Sequence, residues 1–299
     1  MLDICLPGTG GMLPLENRWL TCCWMEYQGN ALLIDCGEGT QLALKKAGCK
    51  LSRLNTLLLT HYHADHVAGL PGLLLTLGNT GKTTPLAIIG PEGLKTVISA
   101  LTVIAPVLPY SIELYEAKRG EQGTLERDGM TISFLPLRHS ILCLGYRVEI
   151  KRKPIFNPEK AQALGIPKTL YKFLHRGEPV SYEGKTFEPD MVLDGPRKSL
   201  RVTYFTDTQP IKAMRAFAQN SDLLISEGMY GDDSEREKME AKGHMIFSDS
   251  AKLARDAAAG KLWLTHYSPA MPDPIPYLPN ARKIFPDTEA AKDGQKLVL

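Results

Sequence analysis

The stretch Thr60-His61-Tyr62-His63-Ala64-Asp65-His66 follows directly on the apolar run Asn55-Thr56-Leu57-Leu58-Leu59, and its last six positions hold three imidazoles and a carboxylate. A packed core has no use for that cluster, because burying polar and ionisable groups without partners is costly. The chemistry it suits is metal binding. Neutral imidazole nitrogens and carboxylate oxygens are ligands for zinc and neighbouring divalent ions. The single residue between His61 and His63 lets both side chains leave an extended segment on one side. Asp65 and His66 then continue the turn toward a second metal.

The H-x-H-x-D-H spacing of His61, His63, Asp65 and His66 resembles the signature of the metallo-β-lactamase superfamily. Gly69-Leu70-Pro71-Gly72 resembles the continuation found in the ribonuclease Z family, the tRNA 3′-end endonucleases. Further motifs follow in the family's order. The chain has seven histidines. His139, in Leu135-Pro136-Leu137-Arg138-His139-Ser140 and ahead of Leu144-Gly145-Tyr146-Arg147, resembles the third metal motif. Asp207 ends Val202-Thr203-Tyr204-Phe205-Thr206 like the family's bridging aspartate, and His266 ends Lys261-Leu262-Trp263-Leu264-Thr265 like its last ligand. Asp35 closes Ala31-Leu32-Leu33-Ile34, with Gly37-Glu38-Gly39-Thr40-Gln41 after it.

The resemblance implies a ligand set and a reaction. His61, His63 and His139 hold one ion, Asp65, His66 and His266 the other, and Asp207 bridges them; Asp35 fixes ligand imidazoles from behind. Two divalent ions, zinc or manganese, are the implied cofactor. Glu227 and His244 resemble the pair that protonates the leaving oxygen, and Asp65 orients the attacking hydroxide or acts as its base. The implied activity is removal of the 3′ trailer of precursor tRNA by metal-hydroxide attack, leaving a 3′-hydroxyl on the upstream RNA. The alternative is a phosphodiesterase of the same fold acting on small or cyclic nucleotides. Lactone or β-lactam hydrolysis fits the metal motif alone, and a non-catalytic RNA-binding descendant would have lost ligands, none of which is missing.

The elements that position these residues are legible from hydrophobic patterning. Asp35, His61, Asp207, Glu227 and His266 each sit at the end of a short apolar run that reads as a buried strand. In sheets built with helical crossovers, ligand groups gather beyond the carboxyl ends of the strands, so five strand ends are expected to face one pocket. Leu2–Leu6 reads as a first strand. The glycines of Gly8-Thr9-Gly10-Gly11 lack a phosphate-loop pattern and read as a close backbone approach near the site. Helices are expected at Thr40–Ala47, ended by Gly48, and at Glu92–Ile104, opened by Pro91. Another is expected at Ala251–Ala259, capped by Ser248-Asp249-Ser250. The fold class is α/β, and the resemblance specifies a four-layer αββα sandwich spanning residues 1–299 as one domain.

One region breaks the pattern. Between Ile150 and Leu200, prolines, glycines and basic residues are mixed with few apolar runs, which reads as an inserted arm at 151–199. From Lys151 to Glu178 there are seven Lys or Arg residues and two glutamates, a local cationic surface within a chain of formal net charge +2. Gly165-Ile166-Pro167-Lys168-Thr169-Leu170-Tyr171-Lys172 and Arg176-Gly177-Glu178-Pro179-Val180 resemble the substrate-gripping arm of bacterial ribonuclease Z. Lys151, Arg152, Lys153, Lys168, Lys172 and Arg176 are the expected phosphate contacts there, with Arg18 from the N-terminal loop. His175 belongs to the arm and is not an expected ligand.

Some substrate motifs depart from the family. Its P-x-K-x-R-N loop reads Pro14-Leu15-Glu16-Asn17-Arg18-Trp19; its H-E-A-T reads Ser226-Glu227-Gly228-Met229; its H-S-T reads His244-Met245-Ile246; and its arm Gly-Pro is replaced by Lys168-Thr169-Leu170. The six cysteines show no C-x-x-C spacing and read as reduced thiols. No run reaches the ~18 apolar residues that cross a bilayer, and no export signal is visible. A cytoplasmic enzyme is therefore expected, acting on precursor tRNA or other RNA, and the resemblance adds a homodimer.

Overall fold

The structure is a computed structural model that describes every residue from Met1 to Leu299. Along the chain, strands β1 (Leu2–Gly8), β2 (Cys22–Tyr27), β3 (Asn30–Ile34), β4 (Leu54–Leu58), β5 (Leu86–Pro91) and β6 (Ile112–Ala117) are interleaved with helices α1 (Thr40–Lys46), α2 (Ala64–Val67), α3 (Leu70–Asn79) and α4 (Leu94–Leu101). Strands β7 (Gly123–Arg127), β8 (Met130–Leu137) and β9 (Cys143–Ile150) follow. Then come β10 (Ile155–Phe156), α5 (Pro158–Ala163), α6 (Tyr171–Arg176), β11 (Val180–Tyr182), β12 (Lys185–Phe187) and β13 (Leu193–Asp194). The chain ends with β14 (Leu200–Phe205), α7 (Lys212–Phe217), β15 (Leu223–Glu227), α8 (Arg236–Lys242), α9 (Phe247–Asp256), β16 (Leu262–Thr265), α10 (Leu278–Arg282), β17 (Thr288–Ala290) and β18 (Gln295–Val298).

Two seven-stranded sheets result, ordered β18-β1-β2-β3-β4-β5-β6 and β17-β16-β15-β14-β9-β8-β7. Strands β3 to β6 run parallel, as do β14 to β17. Parallel neighbours deliver their carboxyl ends to one edge, and this is where Asp35, His61, Asp207 and His266 emerge. Each sheet buries its helix-facing side. Leu33, Leu57 and Ile88 pack with Leu44, Leu73, Leu77 and Ile98 of α1, α3 and α4. Leu224, Leu262 and Leu264 pack with Met214, Ala251, Ala254 and Ala281 of α7, α9 and α10. Across the sandwich, Thr21 Oγ1 meets Thr265 Oγ1 at 2.9 Å, and the Tyr146 hydroxyl donates to the Leu59 carbonyl at 2.7 Å. These bonds tie the two sheets together beside the edge that carries the site.

Two helix starts differ from expectation. Pro91 is the last residue of β5, held there by pairing with Ala117 of β6, and α4 begins at Leu94 after Gly93 at φ 97°. Ser248, Asp249 and Ser250 lie within the first turn of α9, which opens at Phe247, and Asp249 Oδ2 accepts the Ile246 N–H at 3.4 Å. In both places the preceding segment has a tertiary partner that local propensity does not encode.

Residues Ile150–Leu200 form a compact unit of their own. Its core is small: Ala161, Ile166, Leu174, Val180, Phe187 and Val192. These apolar residues lie far apart in the sequence, alone or in groups as short as Phe173-Leu174 and Met191-Val192-Leu193, too short to mark a buried element. Asn157 caps α5, its side chain accepting the Glu159 and Lys160 N–H groups at 3.0 and 3.1 Å, with Pro158 at the first helical position.

The loops after β3 and β4 touch through bare backbone. A Cβ on Gly69 would lie 1.9 Å from the Gly37 carbonyl oxygen, and one on Gly37 would lie 2.0 Å from that of Asp65. Cys36 N–H donates to the His66 carbonyl at 2.8 Å, and Gly69 N–H to that of Cys36 at 3.0 Å. Gly69→Ala is accordingly expected to destabilise the protein by about 2 kcal/mol or more, as overpacking against rigid backbone does. A thermal melt coincident with wild type would contradict this contact.

Candidate metal centre

Three residues of the site occupy left-handed backbone that side-chain-bearing residues seldom adopt: Asp35 at φ 62°, Asp207 at φ 49° and His266 at φ 58°. Asp35 and His266 directly follow the last residues of β3 and β16, and Asp207 stands two residues beyond the end of β14. The kink interrupts the strand's alternation; Asp207 and His266 thereby line the cleft, and Asp35 reaches His66 behind it. Such conformations cost of order 1–3 kcal/mol and persist where the surroundings impose them. A fourth strand, β4, leads to His61, and the extended backbone of His63 leads into the short helix α2 carrying Asp65 and His66. The hairpin strand β8 delivers His139.

The donor atoms converge in two sets. In the first, His61 Nε2 lies 3.0 Å from His63 Nδ1, which lies 3.3 Å from His139 Nε2, and His61 Nε2 is 3.8 Å from Asp207 Oδ2. In the second, His66 Nε2 is 3.4 Å from Asp65 Oδ2 and 2.9 Å from Asp207 Oδ2, while His266 Nε2 is 3.5 and 3.3 Å from the same two oxygens. One oxygen, Asp207 Oδ2, belongs to both. Donors bound tetrahedrally at ~2.0–2.1 Å stand ~3.3 Å apart, so both sets have the spacing of a divalent coordination shell. His66 Nε2 and both ring nitrogens of His266 are buried without a hydrogen-bond partner, although Asp207 Oδ2 approaches His66 closely. Buried nitrogens are seldom left so. Both orphaned Nε2 atoms belong to the second set, where a divalent ion would satisfy them.

The other side of His61, His66 and His139 is secured. Asp35, fully buried, accepts from Thr60 N–H at 2.8 Å, from the Thr60 hydroxyl and from His66 Nδ1 at 2.8 Å. Thr60 Oγ1 also meets His61 Nδ1 at 3.0 Å, and His139 Nδ1 donates to the Gly243 carbonyl at 3.0 Å. Outer partners of this kind fix ring orientation and raise ligand basicity. Asp65 Oδ2 accepts the Met12 N–H at 2.8 Å. Close backbone approach brings Gly11 to His266, where a Cβ would lie 2.7 Å from the ring.

The electrostatics follow from burial and proximity. Burial, reinforced by the neighbouring imidazoles, holds His61 well below the usual imidazole pKa, and burial also lowers His139. Burial opposes ionisation of Asp207, but His266, His66 and His61 outweigh it and keep the carboxylate charged. Burial likewise opposes charge on His66, and the carboxylates of Asp207 and Asp35 reverse that, raising it. Glu227 is the last residue of β15 and fully buried; its Oε1 accepts Thr208 N–H at 2.6 Å and its Oε2 accepts from His244 Nδ1 at 2.8 Å. Against the burial cost, that carboxylate and Asp207 raise His244 to about 9. Asp207, Glu227, His244 and His266 also lie close enough together to form a donor group, but there the Glu227 oxygens are already committed to hydrogen bonds.

The cleft, of about 210 Å³, is lined by His63, Asp65, His139, Asp207, His244 and His266 among others. Every sequence-expected ligand is thus gathered in one place. Arg18, expected to meet substrate, is engaged within the protein: its guanidinium donates to the carbonyls of Met271 at 2.9 Å and Pro272 at 2.5 Å and stacks 5.3 Å from the Tyr267 ring centroid. It fastens a loop. Lys151, Lys153, Lys168, Lys172 and Arg176 are exposed on the Ile150–Leu200 unit, and Arg152 Nε donates to the Lys198 carbonyl at 2.6 Å. His175 lies there too, its ring 5.9 Å from that of Phe156 and outside every donor group. Thr60, Thr208 and Gly243 were not foreseen; their only sequence signal is adjacency to a ligand motif. All six cysteines are free, five of them buried, and none is a donor.

Comparison with known proteins agrees with this geometry. The chain is 46% identical over 299 residues to the Ribonuclease Z of Lachnospira eligens, covering 100% of this chain and 98% of that protein. It is 47% identical over 304 residues to the Ribonuclease Z of Clostridium acetobutylicum, with 100% and 98% covered. Residues 2–100 match the family model described as Anti-Pycsar protein Apyc1. Among solved structures, the short form of human tRNase Z superposes with a TM-score of 0.72 at 21% identity, over 99% of this chain and 98% of that one, which speaks for the sandwich fold. The fold is that of the metallo-β-lactamase sandwich, and the chain belongs to the ribonuclease Z family.

Proposed function

We propose that this chain is a metal-dependent endoribonuclease that hydrolyses the phosphodiester joining a precursor tRNA to its 3′ trailer. The observation that carries the reading is the convergence of seven expected donors into two sets sharing Asp207 Oδ2, in a chain close to half identical to proteins named Ribonuclease Z. His61, His63, His139 and Asp207 would hold one divalent ion and Asp65, His66, His266 and Asp207 the other, zinc being the ion that best suits their nitrogen and oxygen donors. Two such ions acidify water and neutralise charge on a phosphodiester.

The remaining work falls to side chains. Asp65, fixed by the Met12 N–H, aligns the attacking water or takes its proton. The Glu227–His244 pair stands on the same cleft; with Nδ1 tied to Glu227, His244 has Nε2 left to pass a proton to the departing 3′ oxygen. Asp35 and Thr60 keep His61 and His66 in register throughout. The Ile150–Leu200 unit serves as an inserted substrate arm: its exposed lysines and arginines neutralise phosphates without reading bases, as an enzyme processing many tRNAs requires. A homodimer, in which one copy's arm grips RNA cut by the other, and a cytoplasmic setting complete the proposal. No helix is long and apolar enough to cross a membrane. A phosphodiesterase for small or cyclic nucleotides accounts for the cleft but leaves the arm's cations without a task.

Three measurements test these assignments. Metal analysis of the purified protein should find about two ions per chain, and His63→Ala should lose one of them together with most activity; full metal and full activity in that variant would end the two-ion reading. His244→Ala should lower kcat on precursor tRNA roughly a hundredfold to ten-thousandfold with metal content unchanged, and loss of the metal as well would make its role structural. The arm can be excised cleanly, because Glu149 and Arg201 already pair at 3.2 Å. A short linker between them should reduce precursor tRNA cleavage at least about tenfold more than hydrolysis of bis(p-nitrophenyl) phosphate; equal losses would argue against an RNA-gripping arm.

A further inference from the structure

The metal donors account for only part of the cleft. Besides His244, the rest of its lining is Met12, Ser140, Met229, Tyr230, Met239 and Lys242. Three thioethers and a phenol ring beside a bed of imidazoles and carboxylates do nothing for a phosphate. What a nucleic acid brings next to its phosphate is a flat, polarisable base, and Met and Tyr side chains are suited to cover one.

Met12 is held in place for this at a cost. It adopts left-handed backbone at φ 66°, leaves half of its surface in solvent, and is pinned on the cleft by its N–H bond to Asp65 Oδ2. An exposed methionine in that conformation has no packing role that explains it. Tyr230 is equally fixed. It packs on the small cluster of Met229, Met239 and Ile246, and its carbonyl accepts the Phe247 N–H at 3.0 Å. Lys238 Nζ covers one face of the ring at 4.8 Å, while the ring also lines the cleft. At the end of α8, Lys242 lines both the cleft and an adjoining cavity with Arg138, and it is exposed with no ion pair. An ammonium so placed suits a second phosphate.

We propose that Met12, Tyr230 and Lys242 form a subsite for the one nucleotide adjoining the scissile phosphate, its base against the Met12 thioether and the Tyr230 ring and its next phosphate on the Lys242 ammonium. The subsite rests on the phosphodiester-cleaving reading above and adds to it the residues that meet the base and the next phosphate.

The test compares esters with one leaving group: methyl p-nitrophenyl phosphate against the 5′- and 3′-(p-nitrophenyl phosphate) esters of thymidine. At least one thymidine ester should show a KM roughly tenfold below that of the methyl ester, the scale of base stacking on an aromatic side chain. Tyr230→Ala and Met12→Gly should each remove most of that preference. Glycine is at home at φ 66°, so Met12→Gly keeps the fold even where Tyr230→Ala does not. A second phosphate on the free thymidine hydroxyl should lower KM further, and Lys242→Ala should cancel that gain. Calorimetric binding of thymidine 3′,5′-bisphosphate, which needs no turnover, should rank the variants in the same order. Equal KM values for methyl and thymidine esters in the wild type, or a preference that survives both Tyr230→Ala and Met12→Gly, overturn the subsite. Metal-loaded enzyme that hydrolyses none of the esters overturns it together with the phosphodiesterase reading. Enzyme that prefers the thymidine esters yet leaves precursor tRNA intact upholds the subsite and overturns tRNA as the substrate.

Discussion

The buried carboxylate of Asp35 is the interaction on which the metal centre hangs. It sits where no water reaches, and it is tolerable there only because the Thr60 amide, the Thr60 hydroxyl and His66 Nδ1 all donate to it. A buried charge without such partners would cost several kcal/mol. Those same bonds are what aim His66 and, through Thr60 Oγ1, His61. The residue links the end of β3 to the loop after β4, so packing of one sheet and orientation of two ligands are a single problem with a single solution.

The second sheet contributes the complementary half. Asp207 and His266 leave β14 and β16, and His139 leaves β8. Neither sheet alone assembles a donor set, since the first set needs His139 and the second needs Asp207 and His266. The cross-sandwich bonds of Thr21 to Thr265 and of Tyr146 to Leu59 lie next to these strand ends and hold the halves in register. Each ion would therefore add a bond between sheets, and much of the binding energy of such ions is folding energy.

Much of this was legible before any coordinates. The His61–His66 cluster announces itself because its members are contiguous, and Asp35, Asp207 and His266 are visible because each ends an apolar run of strand length. What the sequence does not display is the left-handed turn at those three positions, since aspartate and histidine carry no unique mark of it. Pro91 carries the sequence mark of a helix start, but β-pairing with Ala117 keeps it in its strand and α4 begins later, at Leu94. Arg18 resembles a substrate contact by motif, but carbonyls 253 and 254 residues away claim its guanidinium. The core of the Ile150–Leu200 unit escaped notice because six apolar side chains scattered over more than thirty positions leave no periodic trace.

Sulfur's place in the molecule carries a further consequence. Cys36 and Cys143 border the centre, one bonded through its backbone to His66 and the other directing its thiol to the Thr206 carbonyl at 3.6 Å. Burial pushes both thiols far up, so they stay protonated. Thiolate is the form that captures soft ions and reacts with oxidants. The two thiols nearest the centre therefore offer no thiolate beside its nitrogen and oxygen donors.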